Sequence, residues 1–175
     1  KEFITQRDCE IKAVSKEYGF KKIYELGFPA GHLHTVDFYQ LIEAISHPIK
    51  DIKPDIIYTV NRTDIHSDHQ IAAKAITSAT KSFRNPFIKR ILAYECLSET
   101  EIAPALPENI FLPNVFCDIT DFIDNKITIM KIYKSEVQHT PFPRSLENIR
   151  ALARYRGSTV SVDYAESFMV LRDIF

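Results

Sequence analysis

Two histidines and two aspartates fall within the six residues Asp64-Ile65-His66-Ser67-Asp68-His69. Imidazoles and carboxylates are the side chains that hold catalytic metals and move protons near neutral pH. Residues three apart at the start of a helix share a face, so His66 and His69 can both reach one centre. Asp68 can accept an imidazole N–H and so fix the tautomer offered to a metal. Catalytic zinc takes three protein ligands and keeps a fourth position for water, whose pKa then falls towards ~7. The cluster supplies one or two ligands, and the other histidines are His32, His34, His47 and His139. The same residues also read as a polar turn. Ser67 or Asp64 would cap a helix, Asp68 would sit at its positive dipole end, and the imidazoles would be solvated. The pattern alone leaves both readings open.

The flanking segments say where this turn must lie. Residues 54–60, PDIIYTV, are apolar and rich in β-branched side chains, which suits a buried parallel strand. Residues 67–83 follow as a helix with Ile71, Ala75 and Ile76 on one face. Upstream, residues 6–18 read as a helix stopped by Gly19, residues 21–29 as a short strand, and residues 27–34 as a loop carrying His32 and His34. Phe38, Leu41, Ile42 and Ile45 fall at helical spacing, and Pro48 is expected to interrupt that helix. Residues 87–95 and 114–119 are further strands. Residues 121–137 read as one long helix with Phe122, Ile123, Ile127 and Met130 buried. Ser145 is placed to cap a last helix that ends at Gly157. Helices alternating with strands predict an α/β fold, a Rossmann-like three-layer arrangement around a mostly parallel sheet. Such sheets bind ligands beyond the carboxyl ends of their strands, where the histidine turn falls. Tyr94 and Glu95 end a strand on that side and are candidates for pocket lining.

Composition narrows the function classes. The chain has 175 residues, 45% hydrophobic and 26% charged, with a net charge of -1. That suits a single folded domain over 1–175. No basic stripe interleaved with aromatics occurs, which argues against a nucleic-acid partner. Three well-separated cysteines without a CxxC pair fit a reducing, cytoplasmic setting. No apolar run approaches the ~20 residues of a membrane span. With four glycines there is no GxGxxG or Walker pattern, so a nucleotide-binding domain is disfavoured.

Three segments in register resemble the LmbE/PIG-L family of zinc-dependent N-deacetylases. PDIIYTVNRTDIHSDHQIAAKAI resembles the strand, His-x-Asp-His turn and helix of its second signature. RDCEIKAVSKEYGFKKIYELGFPAGHL resembles its Arg-x-x-Glu helix and Gly-Phe-Pro loop. YKSEVQHTPFPRSLENIRALARYRGSTVSVDYAESF resembles its tail. The resemblance implies a Rossmann-like fold and zinc-dependent removal of an N-acetyl group from a GlcNAc-type sugar or glycoconjugate. It implies His69 as a zinc ligand, and His66 as the group that stabilises the oxyanion or protonates the leaving amine. Asp68 would orient its neighbours, and Arg7 would contact the substrate. Arg144 is taken with Arg7 as substrate-binding, and Glu166 as a further pocket candidate. On exposed surfaces such side chains more commonly form ion pairs of ~0–1 kcal/mol.

The departures matter equally. The family's His-Pro-Asp-Asp signature is absent, Ala30 stands where an aspartate is common, and the one His-Pro pair, His47-Pro48, lies in a helix pattern. The expectation is a domain lacking its first strand, with weak zinc binding and no activity on its own, unless His32, His34 or His139 completes the site. The alternative is a non-catalytic carbohydrate-binding α/β module that has lost the metal. An open sheet edge or uncovered apolar surface would also favour a homo-oligomer.

Overall fold

Residues Ile56–Val60 form a strand, β1, where the β-branched run places it. In the computed structural model, which describes residues 2–175 and side chains from residue 6 onward, β1 pairs in parallel with β2, Arg90–Tyr94. The register runs from Ile56 opposite Arg90 to Val60 opposite Tyr94, so the two carboxyl ends emerge side by side. Strand β2 is covered on both faces, with Ile91, Leu92 and Ala93 all buried. The helices Phe38–Ile52 (α2) and Ser67–Ala79 (α3) pack against each other, and α3 also lies against β1. Ile49, Ala79, Ile88 and Ile91 form a core cluster, with Ile42, Ile45, Ile57 and Phe87 packed onto it.

Helix α2 is capped by Asp37, which accepts the Gln40 N–H at 3.0 Å, and it runs through Pro48 instead of stopping there. The missing proline N–H removes one helical bond, yet Leu41 and Ile49 on either side stay buried. Burial of that apolar face outweighs the local penalty. The helix ends at Lys53, which takes a left-handed conformation (φ 51°) and donates to the Ile49 carbonyl at 2.9 Å. Helix α3 ends at Ala79, short of the expected residue 83.

Contacts gather the chain into two compact units. One, Glu25–Val115 with Ser167–Phe175, holds the elements just described. The other, Lys1–Tyr24 with Phe116–Glu166, is mainly helical. Its first helix, α1 (Glu2–Tyr18), stops as expected at Gly19 (φ +68°). Phe20 N–H bonds the Ser15 carbonyl at 2.9 Å and Gly19 N–H that of Lys16 at 3.2 Å, a left-handed C-terminal cap.

The long helix expected over 121–137 is not continuous. A 3-10 turn over Thr120–Phe122 leads into α4, Ile123–Met130, and turns follow. Phe122 is exposed, and Ile129 is buried beside Ile123 and Ile127. Helix α5, Leu146–Ser158, is capped by Ser145, which accepts the Asn148 N–H at 3.2 Å. It continues through Gly157. Ile149, Ala153 and Gly157 form its buried face, with ever smaller side chains towards its end.

The strands follow the order β1-β2-β4-β3, with β3 at Val115–Asp118 and β4 at Ala165–Asp173. Strand β4 runs antiparallel to β2, so the α/β sheet is mixed, with its parallel pairing at β1 and β2. The strand expected over 21–29 does not form. Ile23 and Leu26 are exposed there, and a segment without a hydrogen-bonding neighbour has no ladder to join.

Candidate active site

The turn between β1 and α3 is built by its own polar side chains. His66 is the N-cap of α3, and its Nδ1 accepts the Asp68 N–H at 3.1 Å. Neither Ser67 nor Asp64 is the cap. In the neutral ring this leaves the proton on Nε2, so His66 presents an N–H. One turn on, the His69 ring stacks against that of His66, with centroids 5.0 Å apart and planes 24° apart. The two rings thus lie side by side, as residues three apart at a helix start should.

The carboxylate that reaches an imidazole is Asp64, not Asp68. Asp64 is fully buried, and its Oδ2 lies 2.8 Å from His69 Nδ1. Its Oδ1 accepts the Thr100 hydroxyl at 2.7 Å. The Asp64 hydrogen bond, opposed by burial and reinforced by the charges of Asp64, Glu99 and Asp68, raises the His69 pKa above the ordinary imidazole value. With Nδ1 engaged, His69 presents Nε2, on a side chain 25% exposed. Asp68 does something else. Its two oxygens accept the Gly31 N–H at 2.6 Å and the Leu33 N–H at 3.0 Å. The carboxylate at the start of α3 thus holds the loop 31–33, where Gly31 has φ +75°.

The remaining expected residues have surroundings of their own. His32 and His34 are exposed on that loop, with ring centroids 5.8 Å apart. Glu95 accepts the Ser167 hydroxyl at 2.7 Å, and burial raises the Tyr94 pKa. In the other unit, Arg7 and Arg144 converge on one carboxylate, Glu136. Arg7 also bonds Ser135 Oγ at 3.1 Å, approaches Glu10 at 3.5 Å and lies over the Tyr133 ring. Glu166 pairs with Lys126 at 2.6 Å, and His139 is exposed.

These bonds decide how a metal could be held. Both Asp64 oxygens, both Asp68 oxygens and His66 Nδ1 have partners, and His66 Nε2 carries the proton of the neutral ring, which leaves His69 Nε2 as the lone pair on offer. Among the described residues no set of three His, Cys, Asp or Glu side chains gathers as a metal requires. The described side chains by themselves do not fit the three-ligand site of catalytic zinc.

The sequence placed Asp64 in the cluster and offered it as a cap without pairing it to His69, and it gave no sign of Thr100. The signal for Asp64 was its spacing, two residues before His66 and five before His69. Thr100 had none, because it arrives from a different loop.

The PIG-L family model, described as GlcNAc-PI de-N-acetylase, matches residues 1–80, a span holding Arg7, Asp64, His66, Asp68 and His69. Among solved structures, the chain is similar to the conserved protein TT1542 from Thermus thermophilus. Identity is 24% and the TM-score 0.75, covering 98% of this chain and 75% of that one. It is also similar to N,N'-diacetylchitobiose deacetylase from Pyrococcus horikoshii at 18% identity and TM-score 0.69, covering 96% of this chain and 64% of that one. A third is GalB, the 4-carboxy-2-hydroxymuconate hydratase from Pseudomonas putida, at 17% identity and TM-score 0.68, covering 98% and 73%. At these identities the likeness establishes the fold. A deacetylase and a hydratase share it, so the reaction has to be argued from the side chains.

Proposed function

We propose that this chain, matched over residues 1–80 by the PIG-L family model, carries the histidine part of a deacetylase-type hydrolase site. Its substrate would be the N-acetyl group of a GlcNAc-type sugar or sugar conjugate. One observation carries the reading: two imidazoles stacked at 5.0 Å at the carboxyl end of β1, one offering a lone pair and the other an N–H. Amide hydrolysis needs that complement. The tetrahedral oxyanion needs a hydrogen-bond donor, and the departing amine needs a proton. His66 Nε2–H serves either purpose. His69 Nε2 is the basic nitrogen beside it, and it is the proposed zinc-facing atom. Asp68 orients the pair indirectly, through the α3 N-terminus and the 31–33 loop. Arg7 and Arg144 are the proposed substrate contacts, with Glu136 occupying both guanidinium groups in the structure.

With one ligand nitrogen, His69 Nε2, in place of three, zinc is expected to bind weakly. Without added zinc the chain is expected to release no acetate, in keeping with the missing His-Pro-Asp-Asp signature; the paired imidazoles are the reason to expect release in excess zinc alone. The test is an acetate assay on N-acetylated amino sugars with and without added zinc, using His66→Ala as the control. Loss of the His66 donor should cost about 10²–10⁴-fold in rate.

A second reading, a carbohydrate-binding module without catalysis, is favoured by the same shortage of free ligand atoms among the described residues. Sugar binding at His66 and His69 without acetate release at saturating zinc would select it.

A further inference from the structure

We propose that Thr100 is a positioning residue for the Asp64–His69 pair, holding the carboxylate so that one oxygen faces His69 Nδ1 and the ring presents Nε2. The inference rests on His66 and His69 being the reacting pair. Three hydrogen bonds in series support it. Cys96 N–H donates to Thr100 Oγ1 at 2.7 Å. Thr100 Oγ1 lies 2.7 Å from Asp64 Oδ1, and Asp64 Oδ2 lies 2.8 Å from His69 Nδ1. An amide N–H can only donate, so the Thr100 oxygen accepts from Cys96 and its own proton is directed at Asp64. The direction of the whole chain follows, and it ends with the proton of His69 on Nδ1.

A fully buried carboxylate with nothing on Oδ1 would be free to rotate about its own bond and to seek another donor. Thr100 removes that freedom. The fold brings it there because β1 and β2 are parallel neighbours, so the turns after Val60 and after Tyr94 leave the sheet together. A backbone bond from Ile65 N–H to the Glu99 carbonyl at 3.0 Å joins the same two turns, and Thr100 N–H closes its own on the Cys96 carbonyl at 2.9 Å.

A residue that merely closed its turn would affect stability and leave the imidazole unchanged. The discriminating experiment is nitrogen–proton correlation NMR of the His69 ring at a pH where it is neutral, together with steady-state kinetics in excess zinc. Wild type should show a single tautomer with the proton on Nδ1. Thr100→Val, close in size but without the hydroxyl, should show a mixture of tautomers, and Thr100→Ser should restore the single form. In the acetate assay, Thr100→Val should lower kcat about 10–100-fold with KM unchanged. A wild-type proton on Nε2 would overturn the proposal even if the valine variant failed to fold. A Thr100→Val protein that kept the single Nδ1 tautomer would overturn it too. A tautomer shift without acetate release from any form would support the positioning role and count against the deacetylase reading.

Discussion

Asp64 and His69 form the most constrained contact of the candidate site, and its charge state has a sign that can be worked out. The carboxylate raises the imidazole pKa, so the folded value lies above the unfolded one. Stabilisation from the pair is therefore complete below the unfolded imidazole pKa, about 6.5, and fades as pH rises through the folded value. Asp64→Asn should bring the His69 pKa back down when followed by NMR. It should also flatten the fall in Tm expected of wild type on going from about pH 6 to more alkaline conditions. The two histidines were legible from their spacing, because a helix start puts residues three apart on one side. Which aspartate reached them was not. Asp64 lies in the turn and folds back under His69, whereas Asp68, one residue from His69, turns towards the backbone of another loop. Composition and spacing do not encode that choice.

At the level of elements, the start of α3 does two jobs, presenting the imidazoles and holding the 31–33 loop through Asp68. Hydrogen bonds to an ionised acceptor are worth about 1.5–3 kcal/mol each, so Asp68→Ala should cost Gly31 and Leu33 at least about tenfold in amide-exchange protection. The cap made by His66 uses the Asp68 backbone and should survive. Helix α5 offers a different test. A Cβ on Gly157 would meet the Val162 carbonyl oxygen at 2.7 Å and Tyr164 Cα at 2.9 Å. Because the obstacle is backbone, Gly157→Ala should destabilise by about 1–3 kcal/mol in denaturant unfolding, despite alanine's better helix propensity. Caps were read well from sequence: Ser145 and Gly19 stand where their chemistry places them. Gly157 stands one residue from the end of α5. Pro48 was misread because it looks like punctuation and sits inside a helix whose burial decides the outcome.

At the scale of the whole molecule, alternation of elements revealed an α/β fold, and apolar runs revealed where β1 and β2 lie; β2 is buried as expected, whereas β1 is not, with Ile56 39% and Tyr58 54% exposed. Direction was not legible, since a buried strand reads the same parallel or antiparallel, and β4 is antiparallel to β2. The segment 21–29 had the composition of a strand without a neighbour to pair with. Arg7 and Arg144, far apart in sequence, meet on Glu136, a convergence no local pattern announces. No described helix is long and apolar enough to cross a membrane. The PIG-L match over residues 1–80 takes in the stacked histidines, and the deacetylase proposal stands on that one turn. The measurement that tests this most directly is acetate release from an N-acetylglucosamine conjugate at rising zinc concentration, wild type beside His66→Ala. Release that grows with zinc and collapses in His66→Ala is the expected result. Sugar and zinc both bound, with no acetate released by either protein, would contradict it.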